Sequence, residues 1–221
     1  ALELRSSVEA YFLRAYAKYD LKDYQAAIVD YNKTIDIHPQ NTVSYNNRGN
    51  AKQKLKDYQG AFADFSKAIA IDPQNHTAYT NRGSAKDDLG DYQGAIADYN
   101  KAIEINPQDD AAYNNLGNAK WKSKDYQGSI SAYNKAIAIN PQNAVSYFNR
   151  GNAKDVLGDH QGAITDYNKA IAINPQYSNV YANRGIAKEN FGDLNGACAD
   201  WRKASSLGIE NATSWVRMQC Q

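Results

Sequence analysis

The chain has 221 residues, of which 43% are hydrophobic, and its 25 lysines and arginines nearly balance 24 aspartates and glutamates, for a net charge of +1. A protein that neutralises the phosphates of a nucleic acid needs a basic excess, so this balance argues against a nucleic-acid partner. No apolar run exceeds four residues, whereas a membrane-spanning helix needs about 20, so direct membrane insertion is not expected. The chain begins at Ala1 without a methionine, which indicates that it is processed or excised and leaves its compartment open.

Prolines recur at a fixed interval of 34 residues, at Pro39, Pro73, Pro107, Pro141 and Pro175. A period of this length indicates stacked supersecondary units rather than one closed core, so a compact enzyme fold is not expected. Six ungapped copies follow, and a partial seventh copy is expected to form a capping helix over 212–221. The copies cover 8–41, 42–75, 76–109, 110–143, 144–177 and 178–211, so that 1–221 is expected to be a single solenoid.

Each copy predicts two antiparallel helices. Small or apolar residues lie at helical spacing in the first half, as in Tyr45, Gly49 and Ala51. An aspartate in the break is placed to cap the second helix, and the proline ends that helix. The sixth copy has Ile209 instead of proline, and Gly208 is expected to end its second helix. The predicted caps are Asp23, Asp57, Asp91, Asp125, Asp159 and Asp193.

Glycine recurs inside the first helix, where it costs about 1 kcal/mol relative to alanine. The glycines are Gly49, Gly83, Gly117, Gly151 and Gly185. We expect them to face small residues of the second helix, which are Ala61, Ala95, Ser129, Ala163 and Ala197. Two aromatic columns are expected to fill the core. One holds Tyr11, Tyr45, Tyr79, Tyr113, Tyr147 and Tyr181; the other holds Tyr31, Phe65, Tyr99, Tyr133, Tyr167 and Trp201.

An arginine in the first helix is followed by an aspartate sixteen residues later in five copies. The fourth copy lacks both residues and has Leu116 and Ala132 instead. Joint loss indicates a contacting ion pair, because removal of one partner would leave an uncompensated charge. The pairs are Arg14 with Asp30, Arg48 with Asp64, Arg82 with Asp98, Arg150 with Asp166 and Arg184 with Asp200.

These columns resemble the tetratricopeptide repeat, W-x2-L-G-x2-Y … A-x3-F … P, over residues 8–211, with tyrosine at the first aromatic position. The resemblance implies an all-α, right-handed superhelical solenoid of six helix-turn-helix units and a capping helix, whose first helices line a concave groove. It implies a protein-binding scaffold without catalysis or cofactor. The units D-Y-Q-G-A-I and N-R-G-N-A-K resemble those of arrays in photosynthetic bacteria, which implies an assembly factor.

Asparagines recur on the face that the resemblance places in the groove. An amide offers a donor and an acceptor, so a row of amides can hydrogen-bond the backbone of an extended peptide. The row is similar to that of peptide O-GlcNAc transferases. The alternative is that these side chains hold the hairpins together or face solvent. The candidate polar residues are Asn47, Asn50, Asn81, Ser84, Asn114, Asn115, Asn118, Asn149, Asn152 and Asn183.

Aromatic residues in the groove are candidate anchors for a partner. Trp121 and Phe148 are expected to form one apolar spot, while Phe12, Tyr16 and Tyr19 form another or contact a segment upstream. Groove charges sum to −4, which favours a neutral to basic protein or peptide partner, bound as an extended or helical segment. The charges are Glu9, Asp20, Asp87, Asp88, Asp155 and Glu189 against Lys54 and Lys122.

Two other functions stay open: a homo-oligomer that self-associates through its N-terminal aromatic face, or the recruitment arm of a larger enzyme. The three histidines lie in different columns without ligand spacing, so a metal site is not expected. Cys198 and Cys220 either form a disulfide, which would indicate an oxidising compartment, or are buried free thiols, and the latter is favoured.

Overall fold

The computed structural model describes residues 2–220, with the side chains of residues 7–220. These residues form thirteen α-helices and no β-strand, which confirms the predicted all-α class. The helices are α1 (Leu2–Asp20), α2 (Tyr24–Ile37), α3 (Thr42–Lys54), α4 (Tyr58–Ile71), α5 (His76–Asp88), α6 (Tyr92–Ile105), α7 (Asp110–Lys122), α8 (Tyr126–Ile139), α9 (Ala144–Val156), α10 (His160–Ile173), α11 (Ser178–Phe191), α12 (Leu194–Ser206) and α13 (Glu210–Gln219).

The chain divides into two compact units, residues 1–108 and 109–221. In the first unit, α1 packs on α2, α3 on α4 and α5 on α6, and each pair packs on the next through α2 with α3 and α4 with α5. The second unit repeats this order from α7 to α12 and adds α13 on α12. First helices of successive pairs also touch, as α3 with α5 and α7 with α9, so they share one face within each unit. This is the packing of the predicted helix-pair solenoid.

Side-chain caps begin the helices, as predicted for the second helix of each pair. Asp57 accepts a hydrogen bond from the backbone N–H of Gly60 at 2.9 Å, and the other five predicted aspartates cap in the same way. Caps on the first helices were not predicted. They are Asn41, Asn75, Asp109 and Asn143. Helices α3 to α10 are therefore each capped by a side chain, whereas α11 begins without such a cap.

The recurrent glycines make room for an aromatic ring. A Cβ atom built on Gly49 would lie 2.6 Å from the ring of Phe65, and one on Gly83 would lie 2.8 Å from the ring of Tyr99. The atoms nearest to such a Cβ thus belong to the aromatic ring of the second helix, one turn beyond the small residue that was predicted to face the glycine. Phe65 and Tyr99 belong to the second of the two predicted aromatic columns. The prediction that this column lies in the core is confirmed, since its six side chains are at most 2% exposed.

The C-terminal helix closes the second unit. Gly208, at a φ of +92°, follows the end of α12 as predicted, and the N–H of Ile209 bonds to the carbonyl of Ala204 at 3.0 Å. This tight turn lets α13 begin at Glu210, two residues before the expected start of the capping helix. The rings of Trp201 and Trp215 then lie 5.6 Å apart between α12 and α13.

Cys198 and Cys220 are joined by a disulfide bond. The preference for free thiols was therefore wrong. Packing of α13 against the cluster around Trp201 brings the two Cα atoms to 5.6 Å, which lies within the range that a disulfide requires. The alternative prediction, a disulfide between the last repeat and the capping helix, is confirmed.

Within residues 2–220, none of the helices combines the length and apolarity needed to cross a bilayer. Nor do three or more histidine, cysteine, aspartate or glutamate side chains of this part of the chain gather as a metal-binding group.

Candidate functional site

The arginine and aspartate columns form ion pairs between the two helices of a repeat, as predicted. Arg82 Nε donates to Asp98 Oδ2 at 2.8 Å and Arg82 Nη2 to Asp98 Oδ1 at 2.7 Å. The other four predicted pairs have the same two-pronged geometry. In the fourth repeat, Leu116 and Ala132 take the places of the ion pair, and both are buried.

A lysine completes each of these pairs, which the sequence analysis missed. Lys86 Nζ lies 2.9 Å from Asp98 Oδ2, and lysines take the equivalent position beside Asp30, Asp64, Asp166 and Asp200. The arginine also reaches the preceding repeat in places, since Arg150 Nη1 donates to Asn134 at 2.6 Å. Because these buried carboxylates are saturated by charged donors, they hold the two helices of each repeat together and are not free to bind a ligand.

The asparagines of the second unit are linked into a network. Asn118 Oδ1 accepts hydrogen bonds from the Tyr133 hydroxyl at 2.8 Å and from Asn149 Nδ2 at 3.0 Å. One repeat later, Asn152 Oδ1 accepts from the Tyr167 hydroxyl at 2.8 Å and from Asn183 Nδ2 at 2.9 Å. Each such oxygen thus joins three helices. The two tyrosine bonds hold each hairpin together, as the alternative interpretation predicted, and the two asparagine bonds also link successive repeats.

Asn114 belongs to the same network. Its Oδ1 accepts from the Ser146 hydroxyl at 3.2 Å and from Asn149 Nδ2 at 3.4 Å. Asn115 lies next to it on α7 and is half-buried.

The tyrosine hydroxyls fix which way the amides point. Burial raises the pKa of Tyr133 and of Tyr167 well above the ordinary range, so both hydroxyls stay protonated and donate. A donor at this place requires the amide oxygen, not the NH2 group, to face it. Since the oxygens of Asn118 and Asn152 each take two donors, the NH2 groups are what these side chains can offer to a ligand.

A cavity of about 200 Å³ opens beside this network. We call it the asparagine pocket; it is lined by Asn118, Trp121, Lys122, Tyr133, Asn149 and Asn152. The Trp121 side of the pocket is accessible, because this residue is 40% exposed. Four of the predicted binding residues therefore meet at one cavity.

Phe148 does not line this pocket. Its ring centroid lies 5.1 Å from that of Tyr177 and 6.1 Å from that of Tyr167, and it packs on the cluster around Val180. Phe148 thus contributes to packing between α9, α10 and the turn before α11.

The first unit has a cavity of about 200 Å³ near the end of α1. We call it the tyrosine pocket; its walls are Tyr16, Tyr19, Asp20, Tyr31, Asn47 and Asn50. A neighbouring cavity of about 440 Å³ shares Tyr19 and Asn50 and reaches Ser84 on α5. Gln53 crosses this cavity and donates to the Ser84 hydroxyl at 2.8 Å. Asn81, on the same helix, is half-buried.

Two of the predicted groove acids have protein partners. Asp88 accepts a hydrogen bond from Gln53 Nε2 at 2.6 Å, and Asp155 lies 2.6 Å from His160 Nδ1. Both negative charges are therefore partly compensated within the chain. The sum of −4 counted from the sequence overstates the negative charge that the groove presents to a ligand.

Comparison with known families and structures agrees with the resemblance found in the sequence. Tetratricopeptide repeat profiles match residues 8–41, 43–75, 111–143 and 144–177, and a TPR repeat profile matches residues 88–124. A crystal structure of MamA protein is 30% identical with a TM-score of 0.68, over 78% of this chain and 94% of that chain. The chain belongs to the tetratricopeptide repeat family.

Other tetratricopeptide repeat (TPR) structures share the fold at lower identity. YrrB, described as a TPR protein with an unusual peptide-binding site, is 18% identical with a TM-score of 0.69, over 85% of this chain and 98% of that chain. PilF of Pseudomonas aeruginosa is 16% identical with a TM-score of 0.83, over 96% of this chain and 98% of that chain. No curated protein matches this TPR sequence significantly. TPR proteins generally serve as non-catalytic protein–protein interaction scaffolds, and this fold supports that role.

Proposed function

We propose that this TPR protein binds an extended, neutral to basic segment of a partner protein along the asparagine-bearing face of its first helices. In this way it acts as a scaffold that helps to assemble a larger complex. The observation that carries the proposal is the arrangement of Asn118 and Asn152, whose oxygens are held by tyrosine hydroxyls beside an open cavity. Their NH2 groups are donors of the kind that peptide carbonyls accept.

Preorganisation supports this function. An exposed asparagine normally loses rotamer freedom when it binds, and such ordering costs affinity. Asn118 and Asn152 are already fixed by two hydrogen bonds each, so little further ordering is required. Because every peptide carries the same backbone carbonyls, these amides would add affinity with little regard to sequence.

Trp121 would supply the side-chain contact. Its ring packs edge to face on Tyr126, with 6.2 Å between the centroids, and it borders the asparagine pocket. Aromatic rings that are partly exposed beside a cavity are frequent anchors in protein interfaces. The peptide-binding description of YrrB, which has the same fold, agrees with this use by analogy.

The test uses twelve-residue peptides selected from a random displayed library on the full chain. Fluorescence of Trp121 reports their binding, and a Trp121→Phe variant gives the background from Trp201 and Trp215. The critical variant is Asn118→Asp with Asn152→Asp, which keeps both acceptor oxygens and removes both NH2 donors. Loss of two hydrogen bonds of about 1 kcal/mol each should weaken a neutral peptide roughly thirtyfold.

The matched control is Asn195→Asp, an exposed position on α12, which adds a charge away from the asparagine pocket. It should leave the affinity unchanged. Equal affinity of the double variant and the native chain, or failure of the selection to yield any peptide, would contradict the proposed function. Sedimentation at several concentrations, run beside these titrations, tests the alternative of a self-associating array, which stays a prediction.

The Cys198–Cys220 disulfide supports function in an oxidising compartment, because disulfides persist where thiols are not continually reduced. Two cysteines that are both bonded, with none free among the described residues, agree with this location.

A further inference from the structure

The tyrosine pocket combines aromatic faces with a carboxylate. Tyr31 is 1% exposed, whereas Tyr16 is 52% exposed. Tyr19 stands between them in exposure and packs edge to face on Tyr24, with ring centroids 5.2 Å apart. Asp20 completes the lining on the acidic side. The pocket thus presents ring faces, which carry negative quadrupole density, together with one negative charge.

Asp20 lacks an ion-pair partner among the side chains of residues 7–220. It is also the last residue of α1, where a negative charge opposes the helix dipole. The nearest cation among the lining residues of the two adjoining cavities is Lys54, which borders only the larger one. The carboxylate is therefore available to a ligand.

The pocket rejects a second negative charge. Burial raises the pKa of Tyr31 to about 12, and the charge of Asp20 contributes to that rise. Burial and the same carboxylate also raise the pKa of Tyr19. Burial, the largest cause of both shifts, disfavours a charge of either sign, whereas the contribution of Asp20 disfavours an anion and favours a cation.

Elsewhere in the chain, arginine is the cation that binds tyrosine rings together with a carboxylate. Arg48 lies over the ring of Tyr45, 5.3 Å from its centroid, while donating two hydrogen bonds to Asp64. The same arginine, tyrosine and aspartate combination recurs in four other repeats. A planar guanidinium can lie flat on a ring while two of its N–H groups bind a carboxylate, whereas an ammonium offers a single point charge to both.

We infer that the tyrosine pocket binds an arginine side chain of the partner segment, with its guanidinium against Tyr16 and Tyr19 and its N–H groups on Asp20. The inference rests on the proposed function and specifies one residue of the bound segment. It also locates that residue in the first unit, apart from the backbone-binding amides of the second unit.

The experiment uses three capped nine-residue peptides that are identical except for a central arginine, citrulline or lysine. Each is titrated into the isotope-labelled full chain, and amide NMR signals of residues 16–20 and 47–50 are followed to saturation. The arginine peptide should bind at least tenfold more tightly than the citrulline peptide, which has the same shape without the charge. The lysine peptide should lie between them.

Asp20→Asn is the decisive variant, since this exposed position at a helix end tolerates the change. It should weaken the arginine peptide three- to tenfold and leave the citrulline peptide unchanged. Asp36→Asn, which removes an exposed acid from α2, is the matched control and should change neither affinity. Equal affinities of the arginine and citrulline peptides, no effect of Asp20→Asn, or no saturable shifts at millimolar peptide would each overturn the inference.

Failure here is separable from failure of the proposed function. If selected peptides still lose affinity with Asn118→Asp and Asn152→Asp, the backbone-binding face stands and only the arginine assignment falls. If the arginine peptide binds as expected while those selected peptides ignore the double variant, the arginine pocket stands and the asparagine face falls.

Discussion

The Arg82 guanidinium donates two hydrogen bonds to the buried carboxylate of Asp98, at 2.8 and 2.7 Å. Arg82→Leu should therefore leave Asp98 with Lys86 alone and lower the free energy of unfolding by about 3 kcal/mol. The double variant Arg82→Leu with Asp98→Ala should recover part of this loss, because it reproduces the apolar pair of the fourth repeat, Leu116 and Ala132. Denaturant unfolding of the three chains measures the difference. Losses that simply add would show that the residues act independently.

Acid should destabilise the first repeat. The Arg14 hydrogen bond, with a smaller contribution from Lys18, lowers the pKa of Asp30 from 3.8 to about 2. Because the folded-state pKa lies below the unfolded value, the stabilisation is present above pH 4 and is lost as the pH falls towards 2. Unfolding midpoints of the native chain and of Asp30→Asn, compared at pH 5, 3 and 2, test this. The native chain should be the more stable at pH 5, and the gap should narrow at pH 2; a constant gap would exclude the linkage.

Gly83→Ala should destabilise the protein by overpacking the contact between the first and second helices of its repeat. The added methyl group would stand 2.8 Å from the ring of Tyr99, which forces the helices apart, so we expect a loss of about 2 kcal/mol despite the better helix propensity of alanine. A smaller side chain opposite should relieve the clash. Thermal unfolding of Gly83→Ala, Tyr99→Leu and the double variant is the measurement. If the double variant is no more stable than the sum of the two single losses predicts, the ring is not what the glycine accommodates.

Comparison among the six copies predicted the features that depend on residue identity alone. Arg82 with Asp98 could be found because the two partners appear or vanish together at a fixed offset, and caps such as Asp57 because the aspartate recurs in the break of every copy. The ring opposite Gly49 could not, since a side chain reaches over a neighbouring turn according to its direction on the helix, which column spacing does not record. The disulfide depended on the path of the chain after Gly208.

The asparagine network was predictable in principle. Tyr133 with Asn118 and Tyr167 with Asn152 occupy the same two columns at an offset of fifteen residues, a co-occurrence like the one that indicated the ion pairs. The signal was masked because the tyrosine column was interpreted only as core, and because Phe65 and Trp201 interrupt the hydroxyls. The candidate binding residues were therefore identified by column, but the part of each amide left for a ligand required the structure.

Reduction should loosen the C-terminal helix. The Cys198–Cys220 bond closes a loop of 22 residues around α13, and such a bond contributes about 3 kcal/mol in chain-entropy terms. Reductant, or Cys198→Ser with Cys220→Ser, should increase amide hydrogen exchange in α13 and weaken the near-ultraviolet signal of the Trp201 and Trp215 pair. Helix α7, in the same unit, serves as the internal control and should keep its protection. Unchanged exchange in α13 would show that packing alone holds the helix.

Tyr133→Phe isolates the role of the hydroxyl in the asparagine pocket. The change removes one of the two donors to Asn118 Oδ1 and leaves the ring that fills the space at Gly117, so the fold should persist with a loss of about 1 kcal/mol. Without that donor the amide can rotate, and the ordering cost of binding rises. Affinity for a selected neutral peptide, followed by Trp121 fluorescence, should fall about threefold to fivefold.

Tyr99→Phe removes the equivalent hydroxyl from the first unit and is the matched control, which should leave this affinity as it was. An equal fall in both variants would mean that stability, and not the orientation of Asn118, sets the affinity.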